Sequence, residues 1–532
     1  MASIHHVASG HGLLGVSFAF ISTISTRTQS IRGEMPHQLL GFNPPPLLKL
    51  SDDILSNIFM DIVFEHTNSE TSWSLSTPFV GQDVRTIYRR IYCLLSVCRY
   101  WRAIALATGA LWSVIPMIVI VNPSEGQQPF QLSLQRAGGS NLHLAVTKQI
   151  SMFSILTETL AKYGPRFSTI DLRAYSINEI RKAIEALLQH GTPRTLSELS
   201  LSNKLHFQHD PHNDGGYITA RESPLNTSFA TLLGLLSILR LHGTNVHWNT
   251  TRFSSRLVEL HIEEITLGSD AALAPFLKAI SSASELRDLK IISVITIRDA
   301  HAPPDTIAGA LPPPVILPKL RSLLLVGLYF NTLRILLPAI APSSCGVSLV
   351  LGNRGLMTCE RFIHHDHNRS IREKRADIFK VSDLLERSPI DTLTLFGRQL
   401  TGQCLTGALL HHLPTLKTLY IDSCLINWVV CSRIAQPFNP LVAQGGFSTL
   451  DVLCITRSSI HVDAFDEFKD VAISYREVIL AGVYIVDPDK KDKQPLPEDH
   501  RLVKWLVANI PVVRMVDHGF GSPKDNDKWS QW

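Results

Sequence analysis

Residues 257–262, LVELHI, carry the pattern that decides the fold. The apolar residues Leu257, Leu260 and Ile262 stand at the first, fourth and sixth places of this stretch. The same spacing recurs along the chain, and several neighbouring copies begin 26 to 34 residues apart. Runs with helical periodicity, such as residues 177–189, lie between the copies. The period predicts a repeated unit of one strand followed by one helix. The other eight copies begin at Phe167, Leu196, Leu236, Leu286, Leu320, Ile390, Leu416 and Leu450.

A repeat of this kind buries its apolar face only by stacking on its neighbours. One strand and one helix cannot cover the leucines alone, whereas an array of repeats buries a continuous ladder of them. The spacing therefore points the leucines inward and the residues between them outward. These outward side chains are a candidate face for binding a partner protein, and their charges of both signs do not indicate one class of ligand. The candidate residues are Glu198, Glu259, His261, Glu263, Asp288, Lys290, Thr394, Tyr420 and Asp422.

The array predicted here is irregular. The Asn that commonly follows the third apolar position is generally missing, and the gap from Leu320 to Ile390 is 70 residues. A compact α/β domain with several parallel strands is therefore an alternative fold. Residues 129–147, in which apolar and polar side chains alternate, are predicted to be strands that lead into the array.

Upstream of the array, residues 93–112, CLLSVCRYWRAIALATGALW, predict an amphipathic helix followed by a Leu-Trp pair. Apolar side chains recur at helical spacing on one face, and Ser96, Arg99 and Arg102 fall on the other. The apolar set is Leu94, Val97, Cys98, Trp101, Ile104, Leu111 and Trp112.

A second amphipathic helix is predicted after Leu50. Ser51 is a suitable N-terminal cap for it, and Asp52 and Asp53 place negative charge at the positive end of the helix dipole. An apolar stripe follows along the helix. Together with the preceding leucine, its site residues are Leu50, Ile54, Leu55, Ile58 and Phe59.

In this order the two helical segments resemble the two halves of an F-box, and the array resembles a degenerate leucine-rich-repeat domain. The resemblance is to the F-box-like leucine-rich proteins common in fungi, and its F-box part covers about 65 residues. It implies an α/β chain in which a helical F-box precedes a leucine-rich-repeat solenoid, an irregular horseshoe of parallel strands with helices. Ser51 stands where the family pattern has proline, and the connection over about residues 65–86 is longer than usual.

The resemblance implies a substrate-receptor subunit of an SCF-type cullin-RING ubiquitin ligase. The F-box would bind the adaptor subunit of the ligase, and the repeat face would hold an unidentified protein substrate for ubiquitination. Such a receptor positions its substrate and contributes no catalytic residue. The implied adaptor-binding residues are Leu50, Ile54, Leu55, Ile58, Phe59, Leu94, Val97, Cys98, Trp101, Ile104, Leu111 and Trp112.

Two other functions are open at this point. The change at Ser51 and the long insert favour an F-box-like repeat scaffold that no longer binds the adaptor. The other alternative is an α/β enzyme with an unrecognised site. Because the chain has no GxSxG, P-loop or cysteine-nucleophile signature, no catalytic residue is predicted. Two histidine groups, residues 206–212 and 364–367, lie in predicted loops without metal-ligand spacing, so neither a metal nor a cofactor is expected.

The composition argues against nucleic-acid and membrane partners. With 50 Lys and Arg against 46 Asp and Glu, the net charge of +4 over 532 residues predicts neither a nucleic-acid patch nor a membrane-binding surface. Eight cysteines without a CxxC pair are typical of reduced thiols, which indicates a cytoplasmic or nuclear protein.

The predicted organisation has five parts. They are a disordered extension over residues 1–46, the F-box-like domain over 47–115, connecting strands and a helix over 116–165, the repeat domain over 166–515, and a tail over 516–532.

Overall fold

The computed structural model describes most of the chain in thirteen stretches. The chain divides into a first unit, residues 1–55, and a second unit, residues 56–532. Only residues 50–55 of the first unit are described. The described residues are 50–64, 84–118, 123–147, 153–203, 216–299, 314–340, 346–363, 369–397, 413, 415–435, 451–472, 475–487 and 493–516.

A single large sheet organises the second unit. Fourteen strands of the described chain form it, every pairing is parallel, and the strands follow one another in chain order. The strands of this main sheet are β1 (Val114–Ile118), β2 (Leu142–Thr147), β3 (Phe167–Ala174), β4 (Glu198–Asn203), β5 (Ile238–His242), β6 (Glu259–Glu263), β8 (Asp288–Ile292), β10 (Ser322–Val326), β11 (Gly346–Leu351), β14 (Ile390–Phe396), β15 (Thr418–Asp422), β17 (Val452–Thr456), β19 (Glu477–Ala481) and β22 (Val512–Val516).

Eight further strands of the described chain form two four-stranded sheets. One has the order β13-β12-β9-β7 and the other β16-β18-β20-β21, and each contains one antiparallel pairing, β12 with β13 in the first and β20 with β21 in the second. These strands are β7 (Thr266–Ser269), β9 (Ile295–Asp299), β12 (Met357–Ile363), β13 (Arg369–Arg375), β16 (Leu425–Ile426), β18 (Ser459–His461), β20 (Tyr484–Val486) and β21 (Lys493–Pro495).

A helix lies between most consecutive strands of the main sheet, although residues 243–258, which join β5 to β6, contain none. The described α-helices are α1 (Asp52–Phe64), α2 (Val84–Val97), α3 (Arg99–Ala107), α4 (Pro123–Arg136), α5 (Phe153–Tyr163), α6 (Ile177–Leu188), α7 (Leu225–Leu233), α8 (Leu273–Ser281), α9 (Phe330–Ile340), α10 (Ile378–Glu386), α11 (Trp428–Ala435), α12 (Phe465–Ala472) and α13 (Arg501–Asn509).

The leucine spacing of the sequence explains the register of the main sheet. Leu260 is paired with Leu289, and Ile262 with Ile291, so equivalent positions of adjacent repeats stand side by side. All four side chains are fully buried. Because side chains alternate along a strand, the residues between them lie on the opposite face. The result is a mixed α/β architecture consistent with a leucine-rich-repeat-like solenoid.

A left-handed residue directly follows eight of the main strands. The backbone N–H of six of these residues donates to the carbonyl of the last residue of the next main strand, as from Ser293 to Val326 at 2.8 Å and from Ser423 to Thr456 at 3.0 Å; the other four are Gly243, Glu264, Gly397 and Arg457. This turn lets the chain leave the sheet at the same place in successive repeats. The eight residues are Gly243, Glu264, Ser293, Gly327, Gly397, Ser423, Arg457 and Gly482.

Two predicted boundaries differ from the structure. Residues 129–136 belong to helix α4 and are not strand, because their apolar side chains also suit helical spacing. Strands β1 and β2 are part of the main sheet, so the sheet begins at Val114, ahead of the predicted start of the repeat domain at residue 166. Three predicted segments lie outside the described residues. They are the extension over 1–46, residues 65–83 of the insert, and residues 517–532 of the tail.

Candidate functional site

The N-terminal helices carry the first predicted surface. Helix α2 ends at Val97 and helix α3 begins at Arg99, because Cys98 between them is extended, with φ −157° and ψ 171°. Its Sγ accepts a hydrogen bond from the backbone N–H of Trp101 at 3.4 Å. The single helix predicted over this region is therefore wrong, and Cys98 acts as the N-terminal cap of α3.

Six of the twelve residues implied to bind the adaptor are buried. The clearest case is Trp112, whose indole N–H donates to the carbonyl of Ala105 at 2.9 Å and whose ring lies 4.4 Å below the Arg136 guanidinium. A side chain held in this way belongs to the core and offers no surface to a partner. The six buried residues are Leu55, Phe59, Leu94, Ile104, Leu111 and Trp112.

The remaining residues of this set retain exposed surface. Val97 is 58% exposed and Ile54, in the first unit, is 49% exposed. Leu50, Ile58, Cys98 and Trp101 are half-buried. Ile62, which was outside the predicted set, is 39% exposed and follows Ile58 by one helical turn. We call Ile58, Ile62, Val97 and Trp101 the helical apolar set.

The ring of Trp101 is only partly available. Its centre lies 4.9 Å from that of Phe59, and the two ring planes are inclined by 54°. Because Phe59 is fully buried, this contact fixes one side of the indole against the core. Val97 and Ile62 are therefore better candidates than Trp101 for direct contact with a partner.

Hydrogen bonds connect the N-terminal helices with one another and with the sheet. The hydroxyls of Ser56 and Thr108 are 2.9 Å apart. The Tyr88 hydroxyl donates to the carbonyl of Val114 in strand β1 at 2.7 Å, and Ser133 of helix α4 lies equally close. Burial raises the pKa of Tyr88 well above its ordinary value, so the phenol stays protonated and remains a donor.

The second predicted surface is the polar face of the main sheet, which we define as the strand residues that alternate with the buried leucines. Pairing aligns Asp171, Ser200, Arg240, His261 and Lys290 in one row across strands β3, β4, β5, β6 and β8. The predicted residues of this face differ in burial. Glu198, Asp288 and Lys290 are half-buried. The buried residues are Glu259, His261, Glu263, Thr394, Tyr420 and Asp422.

Buried ion pairs occupy the N-terminal part of the polar face. Arg240 donates from Nε to Glu259 at 2.9 Å, and Arg173 lies 3.5 Å from Asp171. The sequence analysis did not select Asp171, Arg173 and Arg240. Their positions between inward residues were visible, but nothing in the sequence indicated that opposite charges would meet across strands or along one strand.

Burial shifts the pKa values of this charged part. It raises the pKa of Asp171, against the opposing effect of Arg173 and Arg240. It lowers the pKa of His261 well below the ordinary value, and Lys290, Arg240 and His242 lower it further. The imidazole of His261 is therefore neutral near pH 7.

Asp422 has a structural role. Its carboxylate accepts from both Nε and Nη2 of Arg457, the first at 3.0 Å, and from the Thr456 hydroxyl at 2.9 Å. Asp422 is fully buried, whereas the Arg457 side chain is 40% exposed. Since these donors occupy the carboxylate, Asp422 is a structural residue of the turn after strand β15.

An apolar patch interrupts the polar face. Ile292, Val326 and Val350 are buried together, and the half-buried Leu324 and Phe396 pack against them. The sequence analysis did not select this patch. A signal for it exists in strand β10, whose sequence SLLLV is apolar on both faces. The accessible part of the face therefore combines Leu324 and Phe396 with the charges of Asp288 and Lys290.

The described residues contain no group of His, Cys, Asp and Glu that could hold a metal ion. The two histidine groups of the sequence lie outside the described residues. None of the described helices is both long and apolar enough to cross a bilayer.

Comparison with known proteins adds little. No family model matches the chain, and no curated protein matches it significantly. Among solved structures, a chain from the crystal structure of a TLR13–ssRNA13 complex matches with a TM-score of 0.29 and 11% sequence identity. The match covers 66% of the present chain and 45% of the other, so the present chain spans less than half of that structure's length.

Proposed function

We propose that this protein is the substrate-receptor subunit of an SCF-type cullin-RING ubiquitin ligase. Its N-terminal helices bind the adaptor subunit, and the accessible part of the polar face holds a protein substrate. The resemblance of the two helical segments to an F-box motivates this function. The observation that carries it is the exposure of Val97 in helix α2 and Ile62 in helix α1. Exposed apolar side chains of this kind are suited to a protein interface.

The energetics of such an interface rest on few side chains. Burial of apolar surface contributes about 25 cal/mol per Å², so a fully covered valine or isoleucine contributes roughly 1.5–3 kcal/mol. Removing the apolar character of Val97 and Ile62 together would therefore weaken binding by at least about tenfold. The buried residues Phe59 and Trp112 would act indirectly, by keeping the helices in place.

On the polar face, the proposed substrate contacts are Leu324 and Phe396, flanked by Asp288 and Lys290. An apolar centre with charged groups beside it is the usual composition of a protein-binding surface. The buried ion pairs of Arg240 and Arg173 would stabilise other strands of the same sheet. The substrate-receptor function does not require these charged groups to perform catalysis.

The test is co-precipitation of the full chain with the purified adaptor subunit. Val97→Glu with Ile62→Glu places charge on the helical apolar set, and Asn57→Glu places it at an exposed polar position of the same helix α1. We expect the double variant to lose the adaptor and the control to retain it. Absence of binding by the unmodified chain would favour the repeat scaffold that does not engage an adaptor.

A further inference from the structure

We propose that strand β13 is a docking edge for an acidic, extended segment of a partner protein, which adds to the sheet as a new strand. This surface is separate from the helical apolar set and from the polar face. It does not rest on the ubiquitin-ligase function, because β13 would bind such a segment whatever the chain assembles with.

The hairpin of β12 and β13 is an addition to the repeat that follows strand β11. Strand β12 pairs with β9 on one side and with β13 on the other, so among the described strands β13 lies at the edge of its four-stranded sheet. An edge strand presents backbone N–H and C=O groups that another strand can pair with.

The register shows which backbone groups of β13 face outward. Ala376 donates from its backbone N–H to the carbonyl of Leu356 at 2.8 Å, so this opposed pair is hydrogen-bonded. Opposed pairs of an antiparallel ladder alternate between bonded and non-bonded. The backbone groups of Ile371, Glu373 and Arg375 therefore point away from β12.

Buried contacts and a hydrogen bond attach the hairpin to its surroundings. Cys359 of β12 is buried with Ile295, Ile297 and Tyr329 in a small apolar cluster. The Tyr329 hydroxyl donates to the carboxylate of Glu373, which ties β13 to this cluster. A docking strand would consequently meet an edge that is attached to a buried apolar cluster.

The side chains of β13 define the partner. Residues 371–375 are all exposed, and Ile371 is 50% exposed. Arg372, Lys374 and Arg375 are positive, whereas the one carboxylate, Glu373, is already hydrogen-bonded to Tyr329. Like charges oppose pairing of β13 with a second copy of itself, and they favour a strand with carboxylates at alternate positions. Ile371 offers an apolar contact to the residues between these carboxylates.

A short peptide of sequence EVEVEVE is a suitable probe, because it places carboxylates on one face of a strand and valines on the other. Fluorescence anisotropy with the labelled peptide and the full chain measures binding. We expect EVEVEVE to bind, KVKVKVK not to bind, and the block peptide EEEEVVV to bind at least about tenfold more weakly.

Matched variants separate backbone pairing from charge. Ile371→Pro removes an outward N–H and is tolerated at an edge, whereas Ile371→Val keeps that N–H. The proline variant should weaken binding about tenfold, and the valine variant should not. Charge reversal by Arg372→Glu with Lys374→Glu should abolish binding without altering the backbone.

Hydrogen exchange provides the decisive readout, even where Ile371→Pro disturbs the hairpin. Saturating EVEVEVE should slow exchange at the amides of Ile371, Glu373 and Arg375 in the unmodified chain, and leave those of Arg372 and Lys374 unchanged. The proposal is overturned if EVEVEVE does not bind, if it binds the charge-reversed variant equally well, or if those three amides exchange at the same rate with and without peptide.

Discussion

The hydroxyl of Tyr88 donates a 2.7 Å hydrogen bond to the carbonyl oxygen of Val114. Tyr88 belongs to helix α2 and Val114 is the first residue of strand β1, so one buried contact joins the N-terminal helices to the main sheet. The Ser133 hydroxyl, 2.7 Å from the same oxygen atom of Tyr88, extends this connection to helix α4. The candidate adaptor-binding helices are thus attached to the repeats by specific polar contacts.

We expect Tyr88→Phe to lower the free energy of unfolding by about 1–3 kcal/mol, because it removes the donor that the buried hydroxyl supplies to the Val114 carbonyl. Tyr92→Phe is the matched control, since Tyr92 is a half-buried tyrosine of the same helix. Urea denaturation followed by circular dichroism measures both. Equal stability of the two variants would contradict a structural role for the Tyr88 hydroxyl.

Asp422→Asn should destabilise the protein by about 2–3 kcal/mol, because the buried carboxylate accepts charge-assisted hydrogen bonds from Arg457. Asp383→Asn removes the carboxylate of an exposed pair with Arg387 and should cost less than about 1 kcal/mol. The midpoints of denaturant unfolding give the comparison. If both substitutions had the same small effect, the assignment of Asp422 to the fold would be wrong.

Gly397→Ala tests the left-handed turn that follows the main strands. The φ of Gly397 is +103°, and an added Cβ would meet no atom within 4 Å, so the cost is conformational and free of any clash. We expect a loss of roughly 1–2 kcal/mol. Gly139→Ala, where a Cβ also meets no atom within 4 Å, should be neutral or slightly stabilising by thermal denaturation. A neutral result at Gly397 would show that the turn adapts to a side chain.

Stability should fall as the pH is lowered from about 6.5 to about 4. Burial lowers the pKa of His143 to about 4, so over this range the unfolded chain binds a proton that the folded chain does not. The free energy of unfolding is therefore higher above about pH 6.5, and it decreases as the pH is lowered towards about 4. His143→Gln should reduce the pH dependence of the melting temperature, whereas the same change at the exposed His190 should leave it as it is. Identical slopes for both variants would contradict this origin.

Much of the repeat architecture could be predicted from the sequence, because it depends on leucine spacing. Leu260 and Leu289 both occupy the fourth place of the repeated motif. The spacing that makes the motif visible also places these two side chains on the buried face of the sheet. The strand assignment of residues 129–136 was wrong, since in a short apolar segment strand and helix periodicities are hard to separate. The break at Cys98 was also missed, because its capping role requires an extended backbone that helical spacing does not reveal.

The candidate surfaces were less predictable. Spacing placed Asp422 and Glu259 on the polar face, but it could not show that Arg457 and Arg240 would engage them, since the partners lie on other strands or turns. The same holds for Trp101, whose exposure depends on Phe59. Burial of an amphipathic residue depends on tertiary neighbours, which periodicity alone does not specify.

The most direct test of the proposed function is a calorimetric titration of the full unmodified chain with the purified adaptor subunit. We predict saturable binding with one adaptor per chain, weakened at least about tenfold by Val97→Glu with Ile62→Glu and unchanged by Asn57→Glu. Absence of binding by the folded, unmodified chain, or equal binding by the double variant, would contradict the assignment of the helical apolar set as the adaptor-binding surface.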